Sequence, residues 1–128
     1  MIRALTLIAA LCAGCQAVAA QTEQVTNGRD TETASRVRLR ALDTLDGGVT
    51  DLVLRVGETA RFKRLEITAE TCRVPVDDPK ADAFAFLRIR DTREAEPRFS
   101  GWMLASSPAL SALDHPRYDV WVVGCDDG

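Results

Sequence analysis

From Arg36 onward, apolar and polar residues alternate with a period of two, as expected of strands that bury one face. Val37, Leu39 and Ala41 alternate with Arg36, Arg38 and Arg40. Leu52, Leu54 and Val56 form a second set that ends at the turn Gly57-Glu58, and Leu65, Ile67 and Ala69 form a third that leads into Cys72. Ala83 to Arg90 reads as a fourth strand, with Ala85, Leu87 and Ile89 on one side and Phe84, Phe86, Arg88 and Arg90 on the other. Arg98 to Ala105 and Tyr118 to Cys125 complete the series. The run from Asp43 to Gly48 supplies turn chemistry, and Pro75 to Asp82 reads as a loop.

One segment breaks the period. Ser107 can cap, Pro108 suits a first helical position, and Ala109 to Asp114 are adequate helix formers until His115-Pro116 stops them. The expected fold is therefore all-β, a small antiparallel β-sandwich or barrel with one short helix at an end or edge.

Before Arg36 the pattern is different. Arg3, the uncharged apolar run from Ala4 to Gly14, and Ala17-Val18-Ala19 have the order of a secretory signal, so residues 1–20 are expected to be a leader. The apolar run is too short to span a bilayer, and no transmembrane span is expected in the mature chain. Ala13-Gly14-Cys15 also has the small residues that precede a lipid-modified cysteine, so lipidation at Cys15, with a membrane anchor, stays open. Residues 21–35 are polar, with Val25 the only large aliphatic, and read as a flexible tether to a β-domain over 36–128.

Past the leader, two cysteines remain, Cys72 and Cys125, and an even count in an exported chain points to a disulfide. There is no Cys-x-x-Cys in that part, and His115 is the only histidine, too little for a zinc site. The leader holds Arg3 and no acid, so 15 basic residues face 19 acidic ones beyond it, near −4. That balance argues against a nucleic-acid partner.

Familiar catalytic motifs are missing: no Gly-x-Ser-x-Gly, no phosphate-binding Gly-x-x-x-x-Gly-Lys, no His-Glu-x-x-His and no calcium-loop ladder. No catalytic, cofactor or metal residue is assigned, and no cofactor is expected. Four weaker constellations stay open. His115 lies near Ser106, Ser107, Ser111, Asp114 and Asp119, the residue types of a small hydrolase, though it could simply end the helix. Asp77, Asp78 and Asp82 could hold calcium or solvate a turn. Arg36, Arg38, Arg40, Arg88 and Arg90 could form a basic stripe if their strands are neighbours, or pair with Glu66 and Glu70. Trp102, Met103, Tyr118 and Trp121 are core residues or a candidate interaction surface; strand parity sets Trp121 with Val123 and Cys125, close to the disulfide.

The stretch from Phe99 to Cys125 (FSGWMLASSPALSALDHPRYDVWVVGC) closely resembles the C-terminal signature of the bacterial family known as domain of unknown function 2155. Ala41-Leu-Asp before a turn, and Val56-Gly-Glu through Phe62, Leu65 and Ile67 to Cys72, fit the same pattern, so the resemblance covers Arg36 to Cys125. It implies an exported protein of the alphaproteobacterial envelope and transfers no catalytic residue. Cys15 departs from the pattern. The function expected is a periplasmic, non-catalytic binding or assembly module with a protein partner in the envelope; a hydrolase using His115 and a carrier of a small apolar ligand are the alternatives.

Overall fold

The computed structural model describes residues 30–128. The expected leader, Cys15 and most of the expected tether lie outside them. Eight strands follow in order: β1 (Thr31–Ala34), β2 (Arg36–Asp43), β3 (Gly48–Arg55), β4 (Thr59–Phe62), β5 (Leu65–Pro75), β6 (Phe84–Asp91), β7 (Phe99–Leu104) and β8 (Tyr118–Asp126). All pairing is antiparallel. One sheet has the order β1-β5-β6-β7, with β4 also on β5; the other has the order β3-β2-β8. Along one edge of the long β5, β4 pairs with residues 65–68 and β1 with 72–75, while β6 takes the opposite edge. The sheets face each other as a sandwich-like pair. Leu39, Leu54, Leu65, Ile67, Leu87, Ile89, Val120 and Val122 fill the space between them. Each contributes roughly 1.5–3 kcal/mol on burial.

The six expected strands are present. Two more were not expected: β1 lacks an alternating apolar signal, and β4 has only Ala60 and Phe62 to give one. β1 occupies part of the segment read as a tether, which is corrected accordingly: Thr31–Ala34 completes the free edge of β5, where backbone pairing needs no apolar side chains. Arg73 reinforces it by donating to Thr31 Oγ1 and to the Thr31 carbonyl, both at 2.7 Å. β4 is joined to β5 by the two-residue turn Lys63-Arg64, with Lys63 at φ 50°. That left-handed conformation is uncommon for a residue with a side chain.

The expected helix is absent. Between Pro108 and Pro116 only one turn closes, with Leu110 N–H donating to the Ser107 carbonyl at 3.1 Å. Nucleating a helix over so few residues is unfavourable, and tertiary contacts claim the segment instead. Leu113 is buried, and His115 is held by hydrogen bonds at the entry to β8.

Strict alternation also fails at both cysteines. On β5, Leu65, Ile67 and Ala69 point inward; the pairing with β6 then slips between Ala69 and Thr71, leaving Glu70 as a bulge, and Cys72 and Val74 become the inward residues. On β8, Tyr118, Val120 and Val122 point inward; a slip opposite Arg38/Leu39 leaves Val123 as a bulge, and Cys125 turns inward. The parity that set Cys125 beside Trp121 is thereby corrected: Trp121 stands on the other face of β8 from the disulfide. Cys72 and Cys125 are bonded across the sandwich with Cα atoms 6.0 Å apart and a sequence separation of 53. Closing such a loop stabilises by about 4 kcal/mol in the chain-entropy treatment.

Deleting Val123 restores period two and turns Cys125 outward. The expected outcome is two more titratable thiols than in the wild type, with a melting temperature lower by on the order of 20 °C. The double variant Cys72→Ala/Cys125→Ala should show a similar loss of stability in denaturant unfolding.

Candidate functional site

The end of the sandwich opposite the disulfide gathers the buried polar groups. Asp43 ends β2, Lys63 and Arg64 form the β4–β5 turn, Asp91 ends β6, and His115 and Arg117 lead into Tyr118, the first residue of β8. Asp43 and Asp91 are the buried charged residues of the core, at 0% and 3% exposure. A carboxylate withdrawn from water is tolerated only when its oxygens are filled by donors. At Asp43 they are. Arg117 donates from Nε at 3.0 Å and from a terminal nitrogen at 2.8 Å, Lys63 Nζ donates at 2.7 Å, and Leu45 N–H at 3.1 Å. Lys63 also reaches Asp46 at 2.9 Å. Asp91 accepts from Arg93 N–H at 2.9 Å, His115 Nε2 at 3.0 Å and Arg64 at 3.3 Å.

These donors set the titration of both acids. Arg117 first, then Lys63, holds the Asp43 carboxyl far below the ordinary carboxylate range. The Arg93 backbone N–H, then His115, pulls Asp91 down to about 2. The buried Tyr118 ring organises the cations. The Arg64 and Arg117 guanidinium carbons lie 5.3 and 5.1 Å from its centroid, the His115 ring lies tilted by 32° at 5.0 Å and Phe62 meets it edge-on at 5.8 Å.

His115 is fixed in one tautomer by its neighbours. Its Nδ1 accepts two backbone N–H groups, from Arg117 at 3.0 Å and Tyr118 at 3.1 Å. The ring proton therefore sits on Nε2, which donates to Asp91. Taking up a second proton at Nδ1 would break both backbone bonds. This arrangement suits a buttress that starts β8 and does not suit a general base. No serine bonds the ring, whose partners are Asp91, Arg117 and Tyr118, and Ser106 Oγ donates instead to Asp82 at 2.6 Å. The Ser/His/Asp constellation is not assembled.

The other candidates also separate. Asp78 caps the Lys80 N–H while Asp82 binds Ala83 N–H and Ser106, and among the described residues no group of three or more His, Cys, Asp or Glu could hold a metal. Arg36, Arg38 and Arg40 lie on one sheet, Arg88 and Arg90 on the other, so no stripe forms. All five pair with acids: Arg36 and Arg38 with Asp126, Arg40 with Asp51, Arg88 with Glu70 and Arg90 with Glu66. Of the candidate interaction surface, Met103 and Tyr118 are 2% exposed and cannot present a surface. Trp102 is 41% exposed and packs edge-to-face with Phe86 at 5.5 Å; Trp121 lies on the other sheet. Asp43, Arg64, Asp91 and Arg117 were not candidates from sequence, because each sits at a turn or strand end that carries no motif.

Residues 37–125 match the family described as "Uncharacterized protein conserved in bacteria (DUF2155)". A curated relative, "Uncharacterized protein RP359" of Rickettsia prowazekii (strain Madrid E), is 26% identical over 91 residues, 69% of this chain and 59% of the relative. The chain thus spans under two thirds of that protein. No solved structure matches.

The depressed titration of Asp91 fixes the sign of an acid effect. Its ionised form is favoured by folding, so that stability is complete above the ordinary carboxylate range near pH 4 and is lost as pH falls toward 2. Thermal melts from pH 6 to pH 2 should show the decline. Asp91→Asn should lower the melting temperature at pH 6 and flatten the curve below pH 4.

Proposed function

We propose that this chain, which belongs to the bacterial family DUF2155, is an exported, non-catalytic binding or assembly module of the cell envelope. The observation that carries the binding role is an apolar strip on the outer face of the larger sheet. There Phe84 pairs with Leu104 and Phe86 with Trp102 across β6 and β7, and Trp102 is the most exposed of the four. A tryptophan left open to water beside further apolar side chains is the usual anchor of a protein contact. β7 ends its sheet, so its outer backbone edge can accept an added strand next to that strip. The occupant is an extended segment of an envelope protein.

Export is supported by the leader pattern of residues 1–20 and by the disulfide, a bond that persists in oxidising compartments. A non-catalytic role is supported by the saturated hydrogen bonding of His115, the one histidine.

A photocrosslinking residue at position 102, in tagged protein expressed in its host, should give one discrete adduct, whereas the same probe at the exposed Glu96 should not. Equal adducts from both positions, or none from either, would count against the strip. The intact mass of the protein from its envelope should correspond to loss of the leader, with or without lipid on Cys15; a mass retaining Met1 to Ala20 would remove the export reading.

A further inference from the structure

We propose that the groove between the 106–113 loop and the outer face of β8 binds the guanidinium of an arginine side chain presented by a partner polypeptide. The groove encloses about 440 Å³ and is lined by Pro108, Ala109, Ala112, Asp119, Val120 and Trp121. It lies on the opposite sheet from Trp102, so it stands independently of the apolar strip.

Its chemistry is specific. Four of the six lining residues are small and apolar, one is an indole, and the single formal charge is the Asp119 carboxylate. Asp119 and Trp121 are two residues apart on one face of β8, roughly 7 Å along the strand. Asp119 Oδ1 accepts the Val120 N–H at 2.9 Å, and no lysine or arginine among the described residues bonds its carboxylate. The nearest basic partner across the sheet, Arg40, sits opposite Trp121 but is spent on Asp51, with contacts of 2.6 and 3.2 Å. The cation–π contacts of the described residues are both made to Tyr118, so the Trp121 face is unclaimed by a cation.

A ligand must complement all of these features at once. An anion is opposed by Asp119. A wholly apolar ligand would cover the carboxylate without giving it a donor. A planar guanidinium can lie on the indole while its N–H groups reach the carboxylate, and its alkyl stem packs along the proline and alanines. An ammonium is a compact, strongly hydrated charge without that plane, so arginine is favoured over lysine.

The test uses Trp102→Phe protein, in which Trp121 is the one remaining tryptophan. Emission is followed during titration at low salt with N-acetyl-arginine amide, and amide shifts of Ala109 and Ala112 locate the site. The expected result is a saturable change with a half-point of about 1 mM, at least threefold weaker with N-acetyl-lysine amide, absent with N-acetyl-citrulline amide, and weakened about tenfold by Asp119→Asn. Equal binding of the citrulline or lysine probe, unchanged binding by Asp119→Asn, shifts centred elsewhere, or no saturation by about 20 mM would each overturn the proposal.

Discussion

Two cysteines on different sheets can meet only if both face the gap between those sheets, and in a strand that is a question of parity. Perfect alternation would leave Cys72 and Cys125 on outward positions of β5 and β8. Each strand resolves this by inserting one residue, Glu70 and Val123, a short step before its cysteine. The bulges therefore serve the covalent link, which ties the two sheets together at that end. Gly124 belongs to the same device. It follows the bulge under the Arg38 side chain, and a Cβ there would come within 2.6 Å of the guanidinium. Arg38 is one of two arginines that close over Asp126 beside the cysteine.

The far end is joined by charge instead of sulfur. Strand β8 runs from Tyr118, amid three cations, two buried acids and His115, to Cys125 in the apolar core. Buried ion pairs are poor sources of net stability because desolvation offsets the attraction. Their geometry is nevertheless restrictive. Asp43 has a place for each donor that reaches it, from β2's own turn, the β4–β5 turn and the approach to β8. The cluster therefore selects how four chain segments converge, and it gives Lys63 a reason to hold its left-handed conformation: its ammonium bridges Asp43 and Asp46.

Sequence alone discloses the strands whose side chains do the packing. β2 and β6 have clean alternating sets, β5 and β8 have them up to their bulges, and these strands line the core. β1 is held largely by backbone pairing to β5, which leaves little trace in side-chain pattern, and β4 gives the core only Ala60 and Phe62, too short a set to read as a strand. The segment after β7 carried a cap, a proline and good helix formers, yet the hydrogen bonds of His115 and the burial of Leu113 outweighed local propensity. The bulges were invisible because one inserted residue has no compositional mark. They decided the two placements that parity missed, namely which face carries Cys125 and which carries Trp121.

Those placements shape the surface as well. Had Trp121 followed Cys125 into the interior, the outer face of the smaller sheet would offer no aromatic ring, only the exposed Val49, Val53 and Val123 among ion pairs worth at most about 1 kcal/mol each when exposed. With Trp121 outside, each sheet carries one tryptophan on its solvent side, in different company. Trp102 stands with Phe86 in an apolar strip at the end of a sheet, whereas Trp121 shares a groove with an unneutralised carboxylate. The same parity shift that sends a cysteine inward to lock the sandwich keeps its tryptophan neighbour outward, where an indole and a carboxylate two residues apart can contact the same ligand.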